Sequence, residues 1–221
     1  MSTYRIAVLG GTGPQGRGLA YRWSLAGHEV VLGSRTEERA RATADQVRER
    51  APGASVHGAT NRMAVADAEV VLLAVPYEGH DALVGELAGD LAGRVVISCV
   101  NPLGFDAQGP YGLAVAAGSA AEAAAHLAPG ARLVGAFHHV SAVSLWRTGE
   151  PLSHEDVLVC GDDAGAKQVA IELARPVTGR DGVDAGSLRM ARQLEPLTAV
   201  LININKRYKT RSGIRVSGLE S

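Results

Sequence analysis

The residues of this chain that could do chemistry stand mainly in short loops that follow apolar runs. The first loop, GGTGPQGRG, sets Gly11, Gly13 and Gly16 in G-x-G-x-x-G spacing, with Thr12, Pro14 and Gln15 between them. In such a loop the first glycine permits a tight turn, the second lets backbone approach a pyrophosphate, and the third lets the helix pack on the strand. N–H groups left unpaired at the helix start then face the phosphates. A glycine-rich structural turn is the plainer alternative. The placement after the first strand, opening the first helix, favours dinucleotide binding.

The second stretch is VVLGSRTEERAR, at the end of the next apolar run. About twenty residues after the glycines, NAD-binding chains place Asp or Glu against the ribose 2'-hydroxyl. Here Ser34 and Arg35 stand instead, with Arg39 one helical turn on. A hydroxyl and two guanidinium groups suit a phosphate dianion, so the predicted cofactor is NADP(H). Ser34 and Glu37 also fit a capping box for the following helix, a role compatible with holding phosphate.

Further candidates follow later strands. AVPYEGH puts Val75, Pro76 and Tyr77 where a sheet edge opens onto a nicotinamide, while His80 either faces the cleft or, as the plainer reading, caps the next helix. CVNPLG occupies the equivalent edge one strand later and completes that wall. His138 and His139 end the run RLVGAF. Adjacent residues of an extended chain face opposite ways, so the pair is a poor metal site, with one histidine expected in the cleft and the other structural. CGDD reads as a strand end with an acidic helix cap. NKRYKTR is a local cationic cluster, either solvated or able to attract a polyanion. There is no G-x-S-x-G elbow, no recognisable pair of catalytic carboxylates and no Y-x-x-x-K dyad. A reaction that needs mainly positioning fits this inventory.

The elements that must carry these loops alternate. Apolar runs at 5–10, 29–33, 69–75 and 94–100 read as buried strands, and amphipathic stretches at 15–28 and 36–50 as helices. Strands apolar on both faces and separated by helices predict a parallel sheet covered on both sides. NPLGFDAQGPYG reads as the main break, dividing residues 1–105, a Rossmann-type NADP-binding domain, from 106–221, a smaller α/β domain. In the second half, 138–155 reads as a loop between strands. Leu194, Leu197, Leu201 and Ile204 recur at near-helical spacing in a long final helix, serving the core or a dimer seam.

With 221 residues, 46% hydrophobic content and a net charge of −1, the chain has room for one substantial core and carries no global field for nucleic acid or an anionic membrane. Cys99 and Cys160 are far apart and form no metal-ligand or disulfide framework, so no metal is expected. The chain enters its first strand at once, without a signal-peptide pattern, and no apolar run is long enough to span a bilayer; a cytoplasmic protein is expected.

Together, IAVLGGTGPQGRGLAYRWSLAGHEVVLGSRTEERA, LAVPYEGH, GAFHHVSA, VLVCGDD and DAGSLRMARQLEPLTAVLININ resemble, in order and across nearly the whole chain, the F420-dependent NADP oxidoreductases. The resemblance implies reversible hydride transfer between NADP(H) and the deazaflavin coenzyme F420, in a protein that is commonly a homodimer. It implies that Gly11, Thr12, Gly13, Pro14, Gln15 and Gly16 touch the pyrophosphate, and Ser34, Arg35 and Arg39 the 2'-phosphate. The loops at Pro76 to Tyr77 and at His138 to His139 would border the two rings, the histidines being the candidates for a catalytic role. The ending KRYKTRSGIRVSG is longer and more basic than a minimal ending of that family, and the acidic glutamyl tail of F420 is a possible contact. Two alternatives remain open at this point. One is an NADP-dependent imine reductase of the pyrroline-carboxylate type, whose second domain would be helical. The other is a non-catalytic NADP-sensing regulator, which would need no second ring pocket.

Overall fold

The computed structural model describes residues 2–219. Strand and helix alternate through the first half: β1 (Arg5–Leu9), α1 (Pro14–Leu25), β2 (Glu29–Ser34), α2 (Glu37–Arg50), β3 (Val56–Thr60), α3 (Asn61–Val65), β4 (Val70–Leu73), α4 (His80–Leu87) and β5 (Val95–Ser98). A hairpin of β6 (Leu103–Asp106) and β7 (Gly109–Gly112) follows. The second half adds α5 (Ala120–Leu127), β8 (Arg132–Ala136), α6 (Ala142–Arg147), β9 (Leu158–Gly161), α7 (Ala164–Thr178), β10 (Val183–Asp184) and α8 (Ala191–Tyr208).

Side chains alternate across a strand, so a strand apolar at every position must bury both faces. In β1, Ile6 and Val8 enter one apolar cluster and Ala7 and Leu9 the other; in β4, Val70 and Leu72 join the first, Val71 and Leu73 the second. The first cluster packs under α1, α2 and α7, and the second under α3, α4, α5 and α8. The main sheet runs β10-β9-β8-β5-β4-β1-β2-β3. Its pairs are parallel except β8 with β9. Strand order reverses between β1 and β4, which opens a crevice at their carboxyl ends.

Three local readings are corrected. The stretch 101–112, read as a break, contains the β6–β7 hairpin, and Asp106 Oδ1 accepts from the N–H groups of Gln108 (2.8 Å) and Gly109 (3.1 Å) to close its turn. Turn residues mark both breaks and hairpins, and only pairing separates them. The loop 138–155 contains α6, which is six residues long and fully buries only Leu145, too little for a periodic signal. The cap of α2 is Thr36, while Ser34 is still in β2, so Ser34 and Glu37 form no capping box. In the final helix Leu194 and Leu201 are buried, and Leu197 and Ile204 half-buried, which places the apolar face mainly in the core.

The second half is no separate helical layer: β8 pairs with β5 in the same sheet, and β9 and β10 extend it. This excludes the all-helical second domain of the imine-reductase alternative. The join is reinforced on the α1 side. Gly18 has no Cβ to meet the Leu145 Cβ, which an added one would approach to 2.7 Å, so α1 and α6 touch closely. Beside that contact Arg22, 1% exposed, donates to the carbonyl oxygens of Leu145 (2.8 Å), Ser144 (3.2 Å), Gly149 (3.2 Å) and Glu150 (2.5 Å). Burial lowers its pKa, opposed in part by the nearby Tyr21 and Glu150 charges, and the carbonyl cluster takes its N–H groups. Replacing Arg22 with Leu removes every donor from these carbonyls. A loss of about 2–4 kcal/mol is expected, read as a lower midpoint in urea unfolding; an unchanged midpoint would show that water replaces the guanidinium at no cost.

Candidate functional site

At the crevice the chain turns sharply after β1. Gly10 carries the left-handed backbone, at φ +71, and a Cβ there would meet Val75 Cγ1 at 2.6 Å. The tight turn is therefore made by Gly10, one residue before the first glycine of the motif. Spacing alone did not show this, because it counts glycines and carries no dihedral. Gly11 donates its N–H to the carbonyls of Val8 and Gly33, both at 3.1 Å, which seats the loop between β1 and β2. Gly13 caps α1 with no side-chain bond, Pro14 opens the helix, and Gly16 is buried against Gly11 and Val8. Thr12 and Gln15 are half-buried along the same edge. Pro14 is exposed. The amide donors at the α1 start have no side chain competing for them.

Ser34 ends β2, 7% exposed, and Arg35 lies exposed in the bend that follows. Arg39 is exposed on the first turn of α2. Among the described residues neither arginine has an ion-pair partner, whereas the neighbouring Glu37 is held by Arg41 at 2.5 Å. Of the two first-turn carboxylates, Glu37 and Glu38, only Glu37 is paired among the described residues, and it is paired with Arg41, so neither Arg35 nor Arg39 is spent on it.

A cavity of about 300 Å³ opens past Gln15 and the ends of β4 and β5. Val75, Cys99, Val100 and Asn101 form one side, the turn His138 to Ala142 another, and Thr198, Leu201, Ile202, Asn205 and Ser212 the third. Of the earlier wall, Val75 lines it, Pro76 is exposed, and Tyr77 packs against the second apolar cluster with its ring 6.3 Å from that of His80. His80 is fully buried at the start of α4, with Nδ1 2.7 Å from Asp81. Asn205 and Ser212 fall in stretches already read as able to meet a polyanion, but Thr198, Leu201 and Ile202 were not anticipated; nothing in the local pattern of α8 distinguishes cavity-facing positions from core ones.

The histidine turn is not extended. Phe137 sits at φ 64, and both His138 and His139 line the cavity, so the opposite-face expectation fails. The turn is tied from three elements. Gln15 Nε2 donates to the Phe137 carbonyl (3.1 Å), while Asn101 Nδ2 and Thr198 Oγ1 both donate to the His138 carbonyl (2.8 Å each). His139 Nε2 is 2.8 Å from the Asp156 carbonyl, an acceptor, so Nε2 carries the proton and Nδ1 is a lone-pair acceptor. Both nitrogens of His138, Nδ1 of His139 and Oδ1 of Asn101 are buried without a partner among the described residues. Buried polar atoms without partners at a cavity are positions for ligand contacts.

The chain's end closes the third side. Ser212 donates its N–H to Asn205 Oδ1 (2.6 Å) and its hydroxyl to the Leu201 carbonyl (3.4 Å). Farther on, the Asp156 N–H donates to the Ile214 carbonyl (2.7 Å) and Val216 returns a bond to Asp156 Oδ2 (2.8 Å). On the other side of α8, the buried Glu195 carboxyl accepts from the N–H groups of Ala120 (2.8 Å) and Ala121 (3.0 Å) at the start of α5. Burial pushes its pKa up to about 7 against those two bonds.

Residues 5–102 match the profile of the family described as NADP oxidoreductase, coenzyme F420-dependent. The chain is 40% identical to an F420-dependent NADP reductase of Methanothermobacter thermautotrophicus, covering 97% of this chain and 95% of that one. It is 35% identical to one of Methanocaldococcus jannaschii, covering 98% and 99%. A crystal structure from Arthrobacter sp. FB24, of a protein assigned as an F420-dependent NADP-reductase, superposes with a TM-score of 0.80 at 30% identity, over 96% of this chain and all of that one.

Burial, with His139 beside it, holds the His138 imidazole neutral, its pKa pushed down from 6.5 to about 3. A depressed base binds its proton in the unfolded chain first, so its stability contribution is present above pH 6.5 and lost as pH falls toward 3. Over that window His138 is expected to contribute a slope of about 1.4 kcal/mol per pH unit. His138→Phe, which cannot titrate, is expected to flatten the acid limb of unfolding free energy against pH; parallel limbs would contradict a buried neutral imidazole.

Proposed function

The chain belongs to the F420-dependent NADP reductase family, and from that premise we propose that it is an NADPH:F420 oxidoreductase whose two ring systems meet in the cavity beside His138. It is a hydride-transfer oxidoreductase acting between NADP(H) and an F420-type coenzyme. What the structure adds in support is one convergence: the glycine loop, the free Arg35 and Arg39, and a cavity rimmed by unpartnered polar atoms share the carboxyl edge of one sheet.

Residues 1–105 would hold NADP(H), with Gly11 to Gly16 against the pyrophosphate and Ser34, Arg35 and Arg39 around the 2'-phosphate. Residues 106–221 would complete the second-coenzyme side through the His138 turn and α8. The two coenzymes supply the chemistry, since each gives or takes a hydride at a ring carbon. The protein's part is geometric. Gln15, Asn101 and Thr198 hold the turn still, the apolar Val75, Val100, Leu201 and Ile202 keep water away, and neutral histidines add no charge to a step that moves a hydride. His138, buried and neutral, is suited to orienting a ring edge by hydrogen bonding. The exposed Phe105, Tyr111 and Leu113 around the hairpin, with Val200 on α8, offer a seam for the homodimer the resemblance implies.

Mixing the protein with NADPH and oxidised F420 is expected to bleach the deazaflavin's visible absorbance, with NADH far less effective. NADPH binding without bleaching would overturn the second-coenzyme assignment. Changing Arg35 and Arg39 together to Ala is expected to raise KM for NADPH by roughly 10–100-fold, as for the loss of one or two charge-assisted bonds, and to leave KM for NADH within about twofold. Equal losses for both would place the arginines elsewhere.

A further inference from the structure

Most cations of this protein have an identifiable partner. Arg5, Arg62, Arg132, Arg175 and Arg192 face carboxylates, Arg17 and Arg50 lie over the Trp146 ring, and Arg22 and Arg94 serve backbone carbonyls. Arg147 and Arg189 stand singly and exposed. Two groups differ: Arg35 with Arg39, already assigned to a phosphate, and the run Lys206, Arg207, Lys209 and Arg211. All four of the latter are exposed, and none has an ion-pair partner among the described residues. The run KRYKTR contains no carboxylate, in a chain whose net charge is −1.

Its position is fixed by the cavity. Asn205 and Ser212, the residues on either side of the run, both line the cavity and are bonded to each other at 2.6 Å. Lys209, at φ 50, ends α8 with its N–H on the Asn205 carbonyl, and Thr210 donates to the same carbonyl at 3.3 Å. Lys206 to Tyr208 end α8 and residues 209–211 follow it, so the run folds back as a small closed helix-end loop between two cavity-lining residues. Attraction to the α8 dipole accounts for cations in the last turn, where Lys206 and Arg207 lie. It does not account for Lys209 and Arg211, which stand beyond the helix end at Tyr208. The acidic residues that the following strap covers do not neutralise the loop either: Asp156 is flanked by Arg180 and Arg215, at 3.7 and 3.8 Å, and Glu155 is buried.

We propose that the loop 206–211 is the binding site for the anionic appendage of the second coenzyme, taking the carboxylates of an acidic glutamyl tail as it leaves the cavity. The inference rests on the F420 reading above. Ring and tail are then recognised by different means: the ring by the buried polar edge of the cavity, the tail by exposed charge that salt can screen.

Equilibrium binding without NADPH tests this, by calorimetric titration of the whole protein with F420 carrying several glutamates and with the tail-less deazaflavin riboside. Wild type is expected to bind F420 at least about tenfold more tightly than the riboside at low salt, with the advantage shrinking as salt rises. Changing Lys206, Arg207, Lys209 and Arg211 together to Glu is expected to bring F420 down to the riboside's affinity, with riboside binding within about twofold of wild type. The milder pair Lys209→Gln and Arg211→Gln, both outside the helix, is expected to lose about half of that advantage on a logarithmic scale. Equal affinity of wild type for F420 and riboside overturns the tail site and leaves the ring site standing, as does F420 binding that ignores all charge variants. Equal losses for both ligands place the charges in the ring site or the fold and also overturn it. Failure of wild type to bind either deazaflavin overturns the F420 reading, and the inference with it.

Discussion

Everything at the cavity depends on the left-handed turn at Phe137. A non-glycine residue at φ 64 costs about 1–3 kcal/mol and persists only when its surroundings over-determine it. Here they do. The Phe137 side chain is fully buried, edge-on to Trp23 with ring centroids 5.6 Å apart, and the carbonyls of Phe137 and His138 take three side-chain donors. Gln15 comes from the start of α1, Asn101 from the end of β5 and Thr198 from α8. The same bonds that hold the turn therefore tie the glycine-loop edge, through Gln15, to the far wall of the cavity, through Thr198.

That arrangement explains how a protein with few conventional acid–base groups performs redox chemistry. The two histidines are buried in a small apolar space, and burial drives both pKa values down. Neutral imidazoles, that of His139 fixed by the Asp156 carbonyl and that of His138 by its tied backbone, orient a flat ligand well and disturb its charge little. Hydride transfer asks for alignment and exclusion of water, which packing supplies. Cys99, also in the cavity wall, is kept a thiol by the same burial, with its pKa near 12, and adds no competing reactivity.

Charge is partitioned in the opposite way. Most cations of the fold face carboxylates, aromatic rings or carbonyls, while Arg35, Arg39, Lys206, Arg207, Lys209 and Arg211 stay exposed without an ion-pair partner among the described residues. A nearly neutral protein thus gains local fields where they matter and avoids a global one.

Much of the nucleotide half was legible in the sequence, because its signals are local. The G-x-G-x-x-G spacing, the Ser34–Arg35 pair and the doubly apolar strands each lie within one turn or one strand, where chain geometry ties neighbours together. The hairpin at 103–112 and helix α6 were missed because turn residues and short helices carry no period of their own. The cavity itself was decided only in three dimensions. Gln15 and Phe137 are 122 positions apart, and His138 and Thr198 are 60 apart, so no spacing rule links them. Local sequence set which groups can bind phosphate; long-range packing around a strained turn determined which residues line the cavity.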